Sequence, residues 1–212
     1  MNKIQTLIFT LLAAIFITAR FTDPYSFSWI IKILPILLLI WITLKKVVTT
    51  SEKVFVVGLI FSAFGDFFLE YDGINWFVFG LASFLLAHVF YIISFTPLSM
   101  IKIKARLLLI ISYVAFGLVI FTLLSKSLGE LFIPVLVYMM VLLFMAISTL
   151  VSSKSNKWLI IGGISFVVSD SLLGLNKFYL ALPYAETLIM ISYYFAQYSL
   201  VNSVLKLQDN SD

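Results

Sequence analysis

Two aspartates are the residues of this sequence best placed to do chemistry. Asp66 and Asp170 each interrupt a long apolar run, and each has Gly eight residues before it and Leu three residues after it: Gly58 and Leu69 for the first, Gly162 and Leu173 for the second. An ionisable side chain within hydrocarbon is costly and marks function by default. The bland alternative is that both aspartates pair with Lys32 and tie helices together. Two carboxylates facing one lysine leave a negative charge over, however, and a carboxyl group left over in an apolar setting can serve as a general acid. Glu186 adds a fourth charge, at a helix start where the dipole favours it. His88 is the single histidine, and it shares a helical face with Gly80, Phe84 and Tyr91. Its ordinary role would be as a hydrogen-bonded packing residue, and Tyr193 and Gln197 are candidates to share a network with it. Asn176 and Lys177 either hold an anionic headgroup or are plain interfacial residues. With one His and no Cys, a thiolate nucleophile and a disulfide are excluded, and a zinc site is short of the His and Cys ligands it usually takes. There is no G-x-S-x-G, phosphate-cradling glycine loop or H-E-x-x-H, so serine hydrolase, NTPase and zincin chemistry have no footing.

The elements that must position these groups are membrane helices. Of the 212 residues 62% are hydrophobic and only 11% charged, with a mean hydropathy of +1.13, whereas a soluble domain carries roughly a quarter charged residues. Lipid must therefore cover most of the surface. The 21 Phe, 10 Tyr and 4 Trp suit lipid-facing and interfacial positions. Apolar runs divide the chain into eight segments: Ile4–Ala19, Phe27–Leu44, Val54–Tyr71, Ile74–Phe95, Ala105–Leu124, Leu131–Val151, Trp158–Leu175 and Tyr184–Leu205. The first reads as a retained helix rather than a signal peptide, because its strong flanking charge, Arg20, is at the far end and no small-residue cleavage site follows.

This gives an all-α, polytopic fold of eight transmembrane helices in a single domain over residues 1–212. Ten of the 14 basic residues (Lys3, Lys45, Lys46, Lys53, Lys102, Lys104, Arg106, Lys154, Lys157 and Lys206) fall on one side of that arrangement, against Arg20, Lys126 and Lys177 on the other and Lys32 within the second segment. The positive-inside rule then sets both termini in the cytoplasm of a cell (plasma or inner) membrane. The net charge of +4 is spent on this topology, in short loops, and not on nucleic acid. Counted from the external segment ends, Asp66, Asp170 and Lys32 each lie five residues inside, roughly 7–8 Å deep at ~1.5 Å per residue. Charges at one level converge on a cavity open to the external leaflet. A faint internal repeat accompanies the aspartates: Leu34-Pro35 answers Ile133-Pro134, and Ala87-His88 answers Ala196-Gln197. Two four-helix halves of the same topology would be related by an axis along the membrane normal.

Four motifs in order, Ser62-Ala-Phe-Gly-Asp66-Phe-Phe-Leu69, Gly80-Leu-Ala-Ser-Phe-Leu-Leu-Ala-His88-Val-Phe-Tyr91, Ser169-Asp170-Ser-Leu-Leu-Gly-Leu-Asn176-Lys-Phe178 and Tyr193-Tyr-Phe-Ala-Gln197, resemble those of the lysoplasmalogenase (YhhN-like) family. Lys32-Ile-Leu-Pro35 resembles that family's Lys/Pro signature, although the family often has the two residues adjacent. The resemblance implies hydrolysis of the vinyl ether bond of a lysophospholipid, a lysoplasmalogen, to a fatty aldehyde and a glycerophospho-alcohol, without a metal or redox cofactor. Such cleavage protonates the β-carbon and gives an oxocarbenium ion that captures water. It calls for one protonated carboxyl and one carboxylate, the division of labour that glycosidases use. Asp66 and Asp170 are the catalytic candidates; Lys32, His88, Tyr91, Asn176, Lys177, Glu186, Tyr193 and Gln197 are the substrate-binding or supporting ones. A small transporter or channel relaying protons or cations through the same carboxylates is the rival reading, and a non-catalytic lipid-binding member of the fold is a third.

Overall fold

A computed structural model describes residues 1–19 and 27–209; Arg20 lies outside the described residues. These residues form nine α-helices and one 3-10 turn: α1 (Lys3–Ala19), α2 (Ser28–Leu44), α3 (Thr50–Tyr71), α4 (Phe77–Ser94), α5 (Met100–Ala105), α6 (Leu107–Ser125), the turn Gly129–Leu131, α7 (Phe132–Val151), α8 (Lys157–Phe178) and α9 (Ala185–Asp209). No strand element occurs among them. In a bilayer only helices that satisfy their own backbone, or closed barrels, can span, and an apolar chain that is helical throughout meets that demand. Six helices are long and apolar enough to cross a membrane: α3, α4, α6, α7, α8 and α9. The other two long ones, α1 and α2, are apolar but have 17 residues each, about a turn short of the ~20 that a perpendicular crossing needs.

Local sequence explains the helix starts. Thr49 and Glu52 form a capping box on α3, with the Thr49 hydroxyl accepting from Glu52 N–H and the Glu52 carboxylate accepting from Thr49 N–H at 2.9 Å. Asn156 caps α8 by accepting from Leu159 N–H at 3.1 Å. Pro134 occupies the first turn of α7, where its missing N–H has no intrahelical partner to lose. α4 begins at Phe77 rather than near Ile74, because the Asp72 carboxylate accepts from Asn75 N–H (3.0 Å) and Ile74 N–H and holds a turn there. Those hydrogen bonds, Asn75's first, keep the Asp72 carboxyl below its ordinary value.

The chain divides into two compact units, Met1–Ser94 with Val201–Asp212, and Phe95–Leu200. In the first, α3 packs on both α2 and α4. A side chain at Gly58 would come within 2.5 Å of the Tyr91 ring and 3.1 Å of the Ala87 carbonyl, so only glycine permits α3 and α4 to approach this closely. In the second, a side chain at Gly162 would come within 2.5 Å of Leu200 and 3.2 Å of the Ala196 carbonyl. The spacing is the same in both: the glycine meets an alanine carbonyl and the side chain four residues on. The next close approach also corresponds. Gly80 lies against the Gly65 carbonyl in the first unit; at the matching positions of the second, the Ser169 hydroxyl donates to the Ile189 carbonyl at 3.1 Å.

The second unit differs from the sequence reading at two places. α8 continues to Phe178, three residues beyond the expected Leu175, so Asp170 stands eight residues from its helix end while Asp66 stands five from Tyr71. The extension is closed by Asn176, whose side-chain oxygen accepts from Leu182 N–H at 3.0 Å. The second difference is α5, a short helix in a segment expected to be loop. Lys102 within it and Arg106 at its end fasten the end of α7: Lys102 donates to the carbonyls of Ser152 (2.8 Å) and Ser153 (2.9 Å), and Arg106 donates to the Leu150 carbonyl and to the Ser155 hydroxyl. The final carbonyls of a helix have no partner within it, and two cations at a C-terminus also complement its dipole. Burial, with the charge of Arg106 adding to it, holds the Lys102 ammonium below the ordinary lysine range.

Candidate active site

In the first unit the polar groups gather along one face of α3. Asp66 is 2% exposed. One turn further on, Glu70 accepts from the Lys32 ammonium at 3.3 Å and from the Ser28 hydroxyl at 2.7 Å. Lys32, 8% exposed, reaches Glu70 from α2, and its ammonium lies 5.9 Å from the centre of the Phe16 ring. It does not snorkel to an interface; its described ion pair is with Glu70, a residue the sequence reading passed over. A turn below Asp66, the Ser62 hydroxyl is 3.1 Å from the Tyr91 hydroxyl. His88 is fully buried, its ring 6.4 Å from that of Tyr91. Beside this face an apolar groove of about 470 Å³ runs between α2 and α3, lined by Ile33, Leu37, Ile60, Phe64 and Phe67 among others.

The second unit holds Asp170 on α8, half-buried, accepting a 2.5 Å hydrogen bond from the Tyr138 hydroxyl of α7. Tyr138 was also passed over in the sequence, where an aromatic in an apolar run reads as packing. On α9 the Gln197 amide donates to the Tyr193 hydroxyl at 3.3 Å, both residues buried, and the Tyr193 ring meets that of Phe166 edge-on. Gln197 and Tyr193 thus share a hydrogen bond within this unit. Asn176 is committed to Leu182 N–H, which gives it a backbone-closing role. Lys177 is exposed in the last turn of α8, and Glu186 is exposed in the first turn of α9. Among the described residues no group of three or more His, Asp or Glu is arranged to hold a metal ion.

Apolar helices of spanning length, with carboxyl groups buried in small polar clusters, define a helical integral membrane protein. Comparison with known proteins places it further. Residues 27–204 match the YhhN family, and the chain belongs to that family. It is 31% identical over 192 residues to a lysoplasmalogenase of Homo sapiens, an alignment covering 83% of this chain and 77% of the relative. To a lysoplasmalogenase of Mus musculus it is 32% identical over 188 residues, 87% of this chain and 78% of the relative. A Mycobacterium tuberculosis lysoplasmalogenase is 31% identical over 158 residues, 67% of this chain and 60% of that protein. No solved structure matches the chain.

Proposed function

We propose that this protein is a membrane hydrolase that cleaves the vinyl ether bond of lysoplasmalogens, with Asp66 and Asp170 as its acid–base pair. The observation that carries the reading is similarity to relatives named lysoplasmalogenase across most of the chain, together with a carboxyl group within an apolar helix of each unit, Asp66 buried and Asp170 half-buried. One carboxyl protonates the β-carbon of the vinyl ether. The other, ionised, stabilises the oxocarbenium ion and directs water to it, and the resulting hemiacetal collapses to a fatty aldehyde and a glycerophospho-alcohol. The α2–α3 groove offers a hydrocarbon-lined seat for the alkenyl chain. The Lys32–Glu70–Ser28 cluster fixes α2 against α3 beside it.

The same proposal includes eight spans with both termini cytoplasmic, and an origin of the two units by duplication, supported by the matched Gly58 and Gly162 contacts. Reporter fusions at Lys46, Lys104 and Lys154 should read cytoplasmic, and fusions near Asp72, Lys126 and Lys177 external. The activity is tested by incubating purified protein with lysoplasmenylethanolamine and assaying for released aldehyde. Aldehyde that depends on the protein and on the vinyl ether supports the reading. Its absence, with proton or cation flux in reconstituted vesicles, would put a transporter in its place.

A further inference from the structure

α5 turns cations inward and apolar residues outward. Side chains four apart share a helix face, and Lys102 and Arg106 both face the end of α7, where they donate to the carbonyls of Leu150, Ser152 and Ser153. The outward side carries Met100 and Ile101, 70% and 82% exposed, with Lys104 exposed beside them. Backbone hydrogen bonds keep α5 from rolling to bury that side. Ser99 N–H donates to the Val151 carbonyl at 2.7 Å, and Ser153 N–H donates to the Pro97 carbonyl at 2.9 Å. The apolar side continues into the start of α6, where Leu107, Leu108 and Ile111 are exposed on a helix long and apolar enough to cross a membrane. Lipid that covers α6 therefore reaches α5.

Charge at this end of the unit has one sign. Lys102, Lys104 and Arg106 lie against the connection from α7 to α8, which adds Lys154 and Lys157, and from Gly73 to Ser169 the single acidic residue is Glu130. Glu130 precedes α7, at the other end of that helix, about 30 Å away at ~1.5 Å per residue. The topology rule accounts for the cations but not for the apolar side set among them. A segment with apolar groups outward and lysines beside them suits the boundary of a bilayer, where the ring of headgroups meets the acyl chains. We infer that α5 is an interfacial anchor: Met100 and Ile101 dip among the acyl chains of one leaflet, and Lys104 holds the phosphate of an anionic phospholipid. Nothing in this contact depends on which bond the protein cleaves.

The chain has no cysteine, so Ile101→Cys and Ser153→Cys each accept a single bimane label. The test places the labelled full-length proteins in vesicles of phosphatidylcholine and phosphatidylglycerol. Bimane at position 101 should be quenched by doxyl-labelled lipid and shielded from aqueous acrylamide, and bimane at position 153 should show the reverse. Equal access of acrylamide to the two positions would overturn the inference. If Ile101→Cys does not fold, Met100→Cys reports on the same side of α5. With the quencher carried in turn on phosphatidylglycerol and on phosphatidylcholine at one mole fraction, the anionic lipid should quench position 101 more strongly. Lys104→Gln should lower that preference about fivefold, the worth of one lysine near an anionic surface, and high salt should weaken it. Equal quenching by the two lipids, or a preference that Lys104→Gln leaves unchanged, likewise overturns the assignment.

Discussion

The two units use one packing scheme to hold two different polar devices. In each, a glycine lets a helix press against an alanine carbonyl, at Gly58 and Ala87 in one and Gly162 and Ala196 in the other, and an aspartate follows eight residues later. What surrounds the aspartates differs. The first unit has a buried ion pair between helices, Lys32 with Glu70; the residue of the second unit that matches Glu70 is Gly174, which packs against Leu124. The second unit has a neutral donor, Tyr138, on its carboxylate. Helix contacts that need small residues tolerate little change, whereas the polar positions beside them are free to differ. The comparison teaches that likeness of backbone packing does not carry likeness of chemistry.

The strongest way to break the comparison is to neutralise each aspartate in turn. Asp66→Asn and Asp170→Asn should each lower aldehyde release by ~10²–10⁴-fold, the usual worth of a general acid or base, while the proteins remain inserted and folded. If the two act in one event, as proposed, the double variant should be little worse than either single one. A full loss from one substitution and none from the other would make one unit merely structural.

Next in size is the ion pair. Glu70→Gln leaves the Lys32 ammonium buried without its described carboxylate, and removing one partner of such a pair costs about 3–5 kcal/mol. Thermal unfolding in detergent should show this loss, and Lys32→Met added to Glu70→Gln should recover most of it. A Glu70→Gln protein as stable as the parent would mean that the pair contributes nothing to α2–α3 packing.

Smaller, and aimed at the likeness rather than the difference, are Gly58→Val and Gly162→Val. Each forces a side chain to within 2.5 Å of a neighbour, and overpacking of this kind costs typically 1–3 kcal/mol. The two melting temperatures should fall together; a fall in only one would sever the correspondence between units. The smallest effect belongs to Asp72. Its folded carboxyl is held below the ordinary value of 3.8 by Asn75, so its contribution to stability is complete above that value and fades as pH falls through the lowered folded one. Hydrogen exchange at Ile74 and Asn75 should report the turn loosening only in that acid range, and Asp72→Asn should remove the dependence.

Hydropathy made the eight long helices legible because each apolar run ends in polar residues that cannot enter lipid. It also set the ends of α1 and α2 to within a residue, since Ile4–Ala19 and Phe27–Leu44 became Lys3–Ala19 and Ser28–Leu44. Asp66 and Asp170 stood out because charge in an apolar run has few structural excuses. Glu70 did not, because beside Tyr71 it reads as a boundary residue; its partner Lys32 is 38 positions away and only folding shows that they meet. Tyr138 was hidden by its chemistry, a ring that suits hydrocarbon and a hydroxyl whose purpose depends on a helix not yet placed. The extra turn of α8 turned on Asn176 accepting from Leu182 N–H, a contact that propensity does not register.

Lys102 and Arg106 bear on how this sequence can change. As basic residues in a short connection they help to set the side on which it stays during insertion. As donors to the carbonyls of Leu150, Ser152 and Ser153 they also finish α7, the helix that carries Tyr138. Glutamine could keep some of the hydrogen bonds but gives up the charge that orients the chain, and a cation moved a few residues away orients the chain but leaves the helix end open. Two independent readers, the insertion machinery and the folded backbone, thus inspect the same pair of side chains. An exchange between lysine and arginine is the change at these two positions that satisfies both demands.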